Sequence, residues 1–206
     1  AQLPDEEYLT IPGENTTGVM LAVYGGVIPG FSVHGTGTND FVAIETDAAP
    51  SIGAQAGYGF SPSWLAYLNV DRSDHGTSDV DIIQSGKVTM HHIELGVRYN
   101  RHFMRDRLVG YANLGAGLRQ FYSKQAVDLT SPSGQTTKIV LTARELAPGV
   151  GAQYFVSKRF AVDGDVQVGI GKFNRISYGG SGRQKFHGDS DASLRFRAGV
   201  AWYPTF

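Results

Sequence analysis

The stretch Ala192-Ser-Leu-Arg-Phe-Arg-Ala-Gly-Val-Ala-Trp-Tyr-Pro-Thr-Phe206 decides how the rest of the chain is read. Its even positions up to Trp202 are Leu194, Phe196, Ala198, Val200 and Trp202; the odd ones are Ser193, Arg195, Arg197, Gly199, Ala201 and Tyr203. Side chains alternate faces along a strand, so a strict period of two marks a β-strand with one oily and one polar face. Working outward, Leu108–Tyr122 sets Leu108, Ala112, Leu114, Ala116 and Leu118 against Tyr111, Asn113, Gly115, Gly117 and Arg119. In Phe160–Phe173, Val162, Val166, Val168 and Ile170 oppose Asp163, Asp165, Gln167 and Gly169, and in Val88–Asn100, Ile93, Leu95, Val97 and Tyr99 oppose His92, Glu94, Gly96 and Arg98. Shorter versions run through Val19–Ile28, Ile52–Phe60, Ser63–Arg72 and Leu146–Val156, which makes eight strands.

The links alternate in length. Ser61-Pro62, Arg101–Arg107 and Ser157-Lys158-Arg159 are short, while those near Pro29–Ser51, Ser73–Lys87, Ser123–Lys138 and Asn174–Asp191 are long and polar. In an up-and-down barrel this puts short turns at one end and long loops at the other, the arrangement of outer-membrane barrels. The composition agrees. Among 206 residues there are 27 Gly, 10 Tyr, 11 Phe and no Cys, which disfavours helices and removes disulfides and thiolate chemistry. Hydrophobic residues at 41% argue against disorder, and no apolar run reaches the ~18 residues of a membrane helix. A net charge of −1 argues against a nucleic-acid binder.

The polar face holds Glu94, Arg98, Arg119, Glu145, Asp163, Asp165, Arg195 and Arg197, together with many glycines. An eight-stranded barrel encloses only enough room for side chains. Charges packed there need partners, so the expectation is a lumen filled by a paired charge network with glycines making room. The oily face must then look outward, and an outward apolar belt needs lipid. Tyr58, Phe60, Trp64, Tyr99, Tyr154 and Trp202 fall on that face near the short turns, like an interfacial aromatic girdle. Pro148 lies within a strand, where it removes a ladder donor; Ile139, Leu141 and Ala143 read as outward above it. Arg144 and Glu145 then occupy successive positions, so a one-residue bulge between them is expected.

The tail from Arg197 to Phe206 resembles the C-terminal signal of bacterial outer-membrane barrels, which ends in an aromatic residue read by the assembly machinery. Here Gly199, Trp202 and Phe206 match it, while Pro204 departs from it. Pro148-Gly-Val-Gly-Ala-Gln-Tyr-Phe-Val-Ser-Lys-Arg-Phe-Ala-Val-Asp163 resembles the strand–turn–strand unit of small OmpA-like and OmpX-like barrels. The resemblance runs from about Thr17 onward. It implies an all-β, eight-stranded, antiparallel, up-and-down transmembrane barrel over 17–206, preceded by a periplasmic segment, 1–16. The implied setting is the bacterial outer membrane, with a signal peptide already removed. The implied partners are its lipids and lipopolysaccharide, the barrel-assembly machinery, and other envelope or surface proteins.

Candidate chemistry is sparse. His91 and His92 are adjacent on a strand and face opposite sides, so they cannot chelate one ion together, while His92 and Glu94 share the lumen face and read as part of the plug. Asp74-His75 and His187-Gly-Asp189 read as outer loops, and no nucleophile–base pair is apparent. Lipid A deacylases carry a His-x-Ser-Asn type motif on a late strand, and Ile170-Gly-Lys-Phe-Asn-Arg175 lacks its His and Ser. Gly179-Gly-Ser-Gly182 lacks the Lys-Ser/Thr of a phosphate loop. Lys172, Arg175, Arg183 and Lys185 give the last long link a basic bias suited either to lipopolysaccharide phosphates or to solvent. Asp5, Glu6, Glu7 and Glu14 face a possible partner in the short-turn cations Arg101, Arg105, Arg107, Lys158 and Arg159. The expectation is a non-enzymatic anchor or adhesive and docking protein without cofactor or metal. A lipid-modifying outer-membrane enzyme is the alternative, and a soluble lipocalin-like carrier is a third reading.

Overall fold

The computed structural model describes residues 16–36, 41–76, 87–104, 107–127, 136–178, 184–188 and 190–204. The acidic start, Arg105, Gly179–Gly182, Arg183, Asp189 and Phe206 lie outside them. Eight long strands form the wall: β1 (Gly18–Ile28), β4 (Ala49–Ser61), β5 (Trp64–Gly76), β6 (Lys87–Phe103), β7 (Leu108–Val127), β8 (Thr136–Phe155), β9 (Phe160–Tyr178) and β12 (Ser190–Trp202). Each pairs antiparallel with its neighbours in sequence, and β12 pairs with β1 through Leu21↔Trp202 to Val27↔Phe196, so the sheet closes on itself. Closure leaves no free edge, which a spanning sheet requires, because hydrocarbon satisfies no backbone group.

The wall's orientation follows from burial. Leu114, Val168 and Val200 are exposed at 54%, 36% and 47%, while Arg119, Arg195 and Arg197 are buried at 1%, 2% and 8%. Oily rows face out and ionic rows face the axis, which removes the soluble-carrier reading. Short turns close one end: Arg107 N–H donates to the Met104 carbonyl, and Met104 takes a positive φ of 50°. Thr16 and Tyr203 pack at the same end, Thr16 on the Pro62 carbonyl and Tyr203 through a backbone bond to Arg159.

At the long-loop end the strands outrun the sequence-based bounds. β7 and β8 are 20 residues each, and Asp74 and His75 belong to β5 rather than to a loop. The first long link holds a hairpin, β2 (Ser32–Thr36) and β3 (Phe41–Glu45), and the last holds β10 (Gln184–Lys185) and β11 (His187–Gly188); β11 joins β2 and β3 in a separate three-stranded sheet.

The expectation around Pro148 is corrected. Ile139, Leu141 and Ala143 are buried inside the barrel, Arg144 faces out and Glu145 faces in, so β8 keeps its period of two without a bulge at 144/145. Pro148 faces outward opposite Leu114 in the β7–β8 ladder, and on its other side the β8–β9 pairing passes from Leu146↔Ile170 to Gly149↔Gln167 in the same register, so no bulge forms at the proline. The irregularity lies instead on β9: Thr142 pairs with Arg175 and Ala143 with Phe173, so Asn174 is the extra residue. The physical reason is that above the lipid belt the polarity of the two faces inverts, and an apolar row there belongs inside.

Candidate functional site: the lumen and its seals

Three layers fill the barrel. At the short-turn end Met20, Leu65, Tyr67, Val109, Phe155, Ala161, Ala201 and Tyr203 form an apolar floor. At the loop end Ile28, Val88, Met90, Phe121, Ile139, Leu141, Phe173 and Ile176 form an apolar ceiling, into which the first and last long links insert Phe31, Val33 and Phe186. The Phe31, Phe121 and Phe173 rings meet in sequence at a tilt, with centroids 4.7 and 5.2 Å apart.

Between these layers lies the charge network. Arg195 donates to Glu145 at 2.7 Å and approaches Glu94 and Asp71 at 3.8 Å each. His92 lies 2.8 Å from Glu145 and 3.0 Å from Asp71. Arg119 bridges Asp191 at 2.6 Å and Glu145 at 3.4 Å, with its guanidinium 5.2 Å from the Phe173 ring centroid, so it couples the ionic layer to the ceiling. Lower down, Arg197 grips Asp165 in a fork, at 2.8 and 2.5 Å. Arg98 donates to Gln55 at 2.9 Å, lies 3.7 Å from Asp163 and stacks 3.8 Å over Tyr111. Tyr67 and Gln167 donate to Glu94 at 2.5 and 2.8 Å, and Tyr111 and Gln153 to Asp163 at 2.6 Å each. Tyr24 donates to Asn69. Charges this deeply buried are tolerable only with such partners.

All eight lumen charges named from sequence meet in this layer. The sequence reading omitted Asp71 and Asp191, though Asn69, Asp71 and Ser73 share the parity of Tyr67 on β5, which is the signal that finds Asp71. Glycines make the room. Tyr24, Tyr67 and Tyr111 each lie directly across the ladder from a glycine (Gly53, Gly96 and Gly151), and a Cβ at any of those glycines would strike the phenol ring. Among the described residues a gap lies beside Arg98 and Arg197, lined also by Gln55 and Tyr111; its volume of about 20 Å³ is that of a water site.

Two constellations invite chemistry. His92, Glu94 and Glu145 present ligand atoms within 4.8 Å of one another, a spacing compatible with a cation, but the Arg195 guanidinium already occupies that neighbourhood as their counter-charge. Ser73 Oγ and His75 Nε2 lie 2.7 Å apart, a pairing the sequence reading did not find; the other ring nitrogen of His75 meets the Asp47 carbonyl at 2.9 Å. Both side chains are buried, with the His75 ring edge-on to Phe31, so this pair braces the ceiling and faces no lipid.

On the outside, Tyr58, Phe60, Trp64, Tyr99, Tyr154 and Trp202 are exposed by 40–61% beside the short turns. Trp64 meets Tyr99 edge-on at 5.1 Å and Trp202 stacks on Phe160. Gly199 lies on β12 against Tyr24 of β1, where a Cβ would meet the Val23 carbonyl.

A closed eight-strand ring with a lipid-facing wall and a filled axis defines an integral outer-membrane barrel. A family model for the outer membrane protein beta-barrel domain matches residues 14–189, and the chain belongs to that family of the bacterial outer membrane. Among solved structures it is similar to the outer membrane protein OprG from Pseudomonas aeruginosa. The two are 15% identical over 93% of this chain and 98% of that one, with a TM-score of 0.69. It is also similar to the outer membrane protein AlkL in DMPC lipid bilayers, at 13% identity over 98% and 97% of the two chains and a TM-score of 0.60. Neisserial surface protein A follows at 14% identity over 90% and 98%, with a TM-score of 0.51. These likenesses concern the fold. No curated protein matches the chain in sequence.

Proposed function

We propose that the barrel is a non-catalytic anchor that holds its long loops outside the cell for docking or adhesion, and that it is not a diffusion pore. The observation that carries this is the three-layer fill: Arg98, Arg119 and Arg195 are each at most 2% exposed, with apolar layers above and below them. A pore needs a continuous water path, and among the described residues the gap beside Arg98 and Arg197 has only the volume of a water site. The lipids of the outer membrane surround the wall, the assembly machinery reads the tail bearing Gly199, Trp202 and Phe206, and other envelope or surface proteins meet the loops.

Planar-bilayer recording of the purified protein is expected to give no steady single-channel current; persistent open steps would overturn the sealed-anchor reading. The same preparation, incubated with lipopolysaccharide and followed by mass spectrometry, is expected to leave the acyl chains intact. Acyl loss would instead establish the lipid-modifying alternative.

A further inference from the structure

Directly above the apolar belt, the outer face of the wall carries Arg144 of β8, Lys172 and Arg175 of β9, and Lys185 of β10, all exposed. Arg144 lies directly opposite Lys172, and Arg175 directly opposite Lys185. Facing positions on neighbouring strands have Cβ atoms roughly 5 Å apart, and like charges so placed repel. Lower in the chain, on β5, the exposed Arg72 does have a carboxylate, pairing with Asp74 at 3.2 Å. No carboxylate among the described residues lies within ion-pair distance of these four.

The bulge at Asn174 builds the group. Lys172 and Arg175 are three residues apart, a spacing that would send them to opposite faces of a regular strand. The extra residue turns both outward while Phe173 and Ile176 stay buried in the ceiling. A bulge that re-aims a side chain is a recurrent device. One outward position below the cations the wall is oily at Leu146 and Ile170, and Leu118 lies directly across the β7–β8 ladder from Arg144; the three are exposed by 41–57%. The long-loop end of an outer-membrane barrel faces the cell exterior, so the step from oily to cationic lies at the headgroups of the outer leaflet.

We infer that Arg144, Lys172, Arg175 and Lys185 form a binding site for a phosphorylated glycolipid of the outer leaflet, with its phosphates on the four cations and an acyl chain along Leu118, Leu146 and Ile170. The phosphates relieve the repulsion, and Arg in particular offers them forked hydrogen bonds. The occupant is an amphiphile rather than free phosphate because cations and oily rows adjoin on one face.

The test is native mass spectrometry of the full chain in mild detergent, titrated with an acylated glucosamine disaccharide bearing two phosphates, and with the same lipid after phosphate removal. Wild type is expected to retain the bisphosphorylated lipid at least tenfold more tightly than the dephosphorylated one, with the difference shrinking at high salt. R144Q/K172Q and R175Q/K185Q should each lose most of that preference, and Arg72→Gln should keep it. Millimolar inorganic phosphate should not displace the lipid. Removing outward charges leaves the interior untouched, and the heat-dependent shift in gel mobility checks folding; should a variant misfold, the phosphate and salt dependence of wild type decides. Equal retention of the two lipids, equal retention by wild type and both double variants, or displacement by inorganic phosphate would overturn the site.

Discussion

Arg195 approaches three carboxylates and His92 from a single position on β12. Its loss would strand Glu94, Glu145 and Asp71 in the dry middle layer without their shared counter-charge. Breaking a buried ion pair by removing one partner costs about 3–5 kcal/mol. Arg195→Ala is therefore expected to lower the unfolding free energy in lipid vesicles by about that amount, as read by a urea titration. Adding Glu145→Leu should recover part of the loss, because it removes one stranded charge; a double variant no better than the single would mean that the network is not held by this pair. Period-two parity makes the eight charges legible in the sequence, since alternation alone assigns a shared face. It could not say which carboxylate each arginine chooses, because that depends on ladder register and on stagger around the closed ring.

Among the elements, β1, β5, β6 and β7 share one device: a tyrosine or a glutamate needs a missing side chain across the ladder. Tyr67 lies on Gly96, and a Cβ at Gly115 would run into the Glu94 carboxylate. Gly96→Val should push Tyr67 off its bond to Glu94 and destabilise the barrel by about 1–3 kcal/mol, the usual cost of overpacking. Gly164→Val is the control. The nearest atom to its added Cβ is the Arg197 carbonyl oxygen at 3.7 Å, an ordinary contact, and it follows the outward parity of Val162 and Val166. A chemical melt in which both variants shift equally would show that glycine matters there for the backbone and not for the room it leaves. The reading of β8 failed at this scale for a definable reason. Ile139, Leu141 and Ala143 are an alternating apolar row, and alternation fixes that they share a face without fixing whether that face meets lipid or core. Beyond the lipid the surroundings of the wall are aqueous, so the sign reverses.

For the whole molecule, the outer face is lopsided in its aromatic residues, which ring the short-turn end. Trp64 and Trp202 both belong to the aromatic end, at 43% and 40% exposure. In vesicles containing brominated lipids, their fluorescence should be quenched most by bromines near the headgroups and least by bromines near the chain ends. The opposite ranking would put the belt at the wrong height on the wall. This asymmetry was legible in the sequence from the outward parity of the aromatics, whereas the ceiling that seals the lumen was not, because it draws Phe31, Val33 and Phe186 from two links far apart in the chain.

The 20-residue lengths of β7 and β8 carry a consequence for reach. At about 3.3 Å per residue and a tilt of about 40°, such strands climb roughly 50 Å, about twice the ~25 Å apolar band of a barrel of this kind. The surplus is a rigid chimney standing above the bilayer. On the anchoring proposal, a partner approaching from outside would meet the upper ends of these strands before it met the lipid headgroups beneath them.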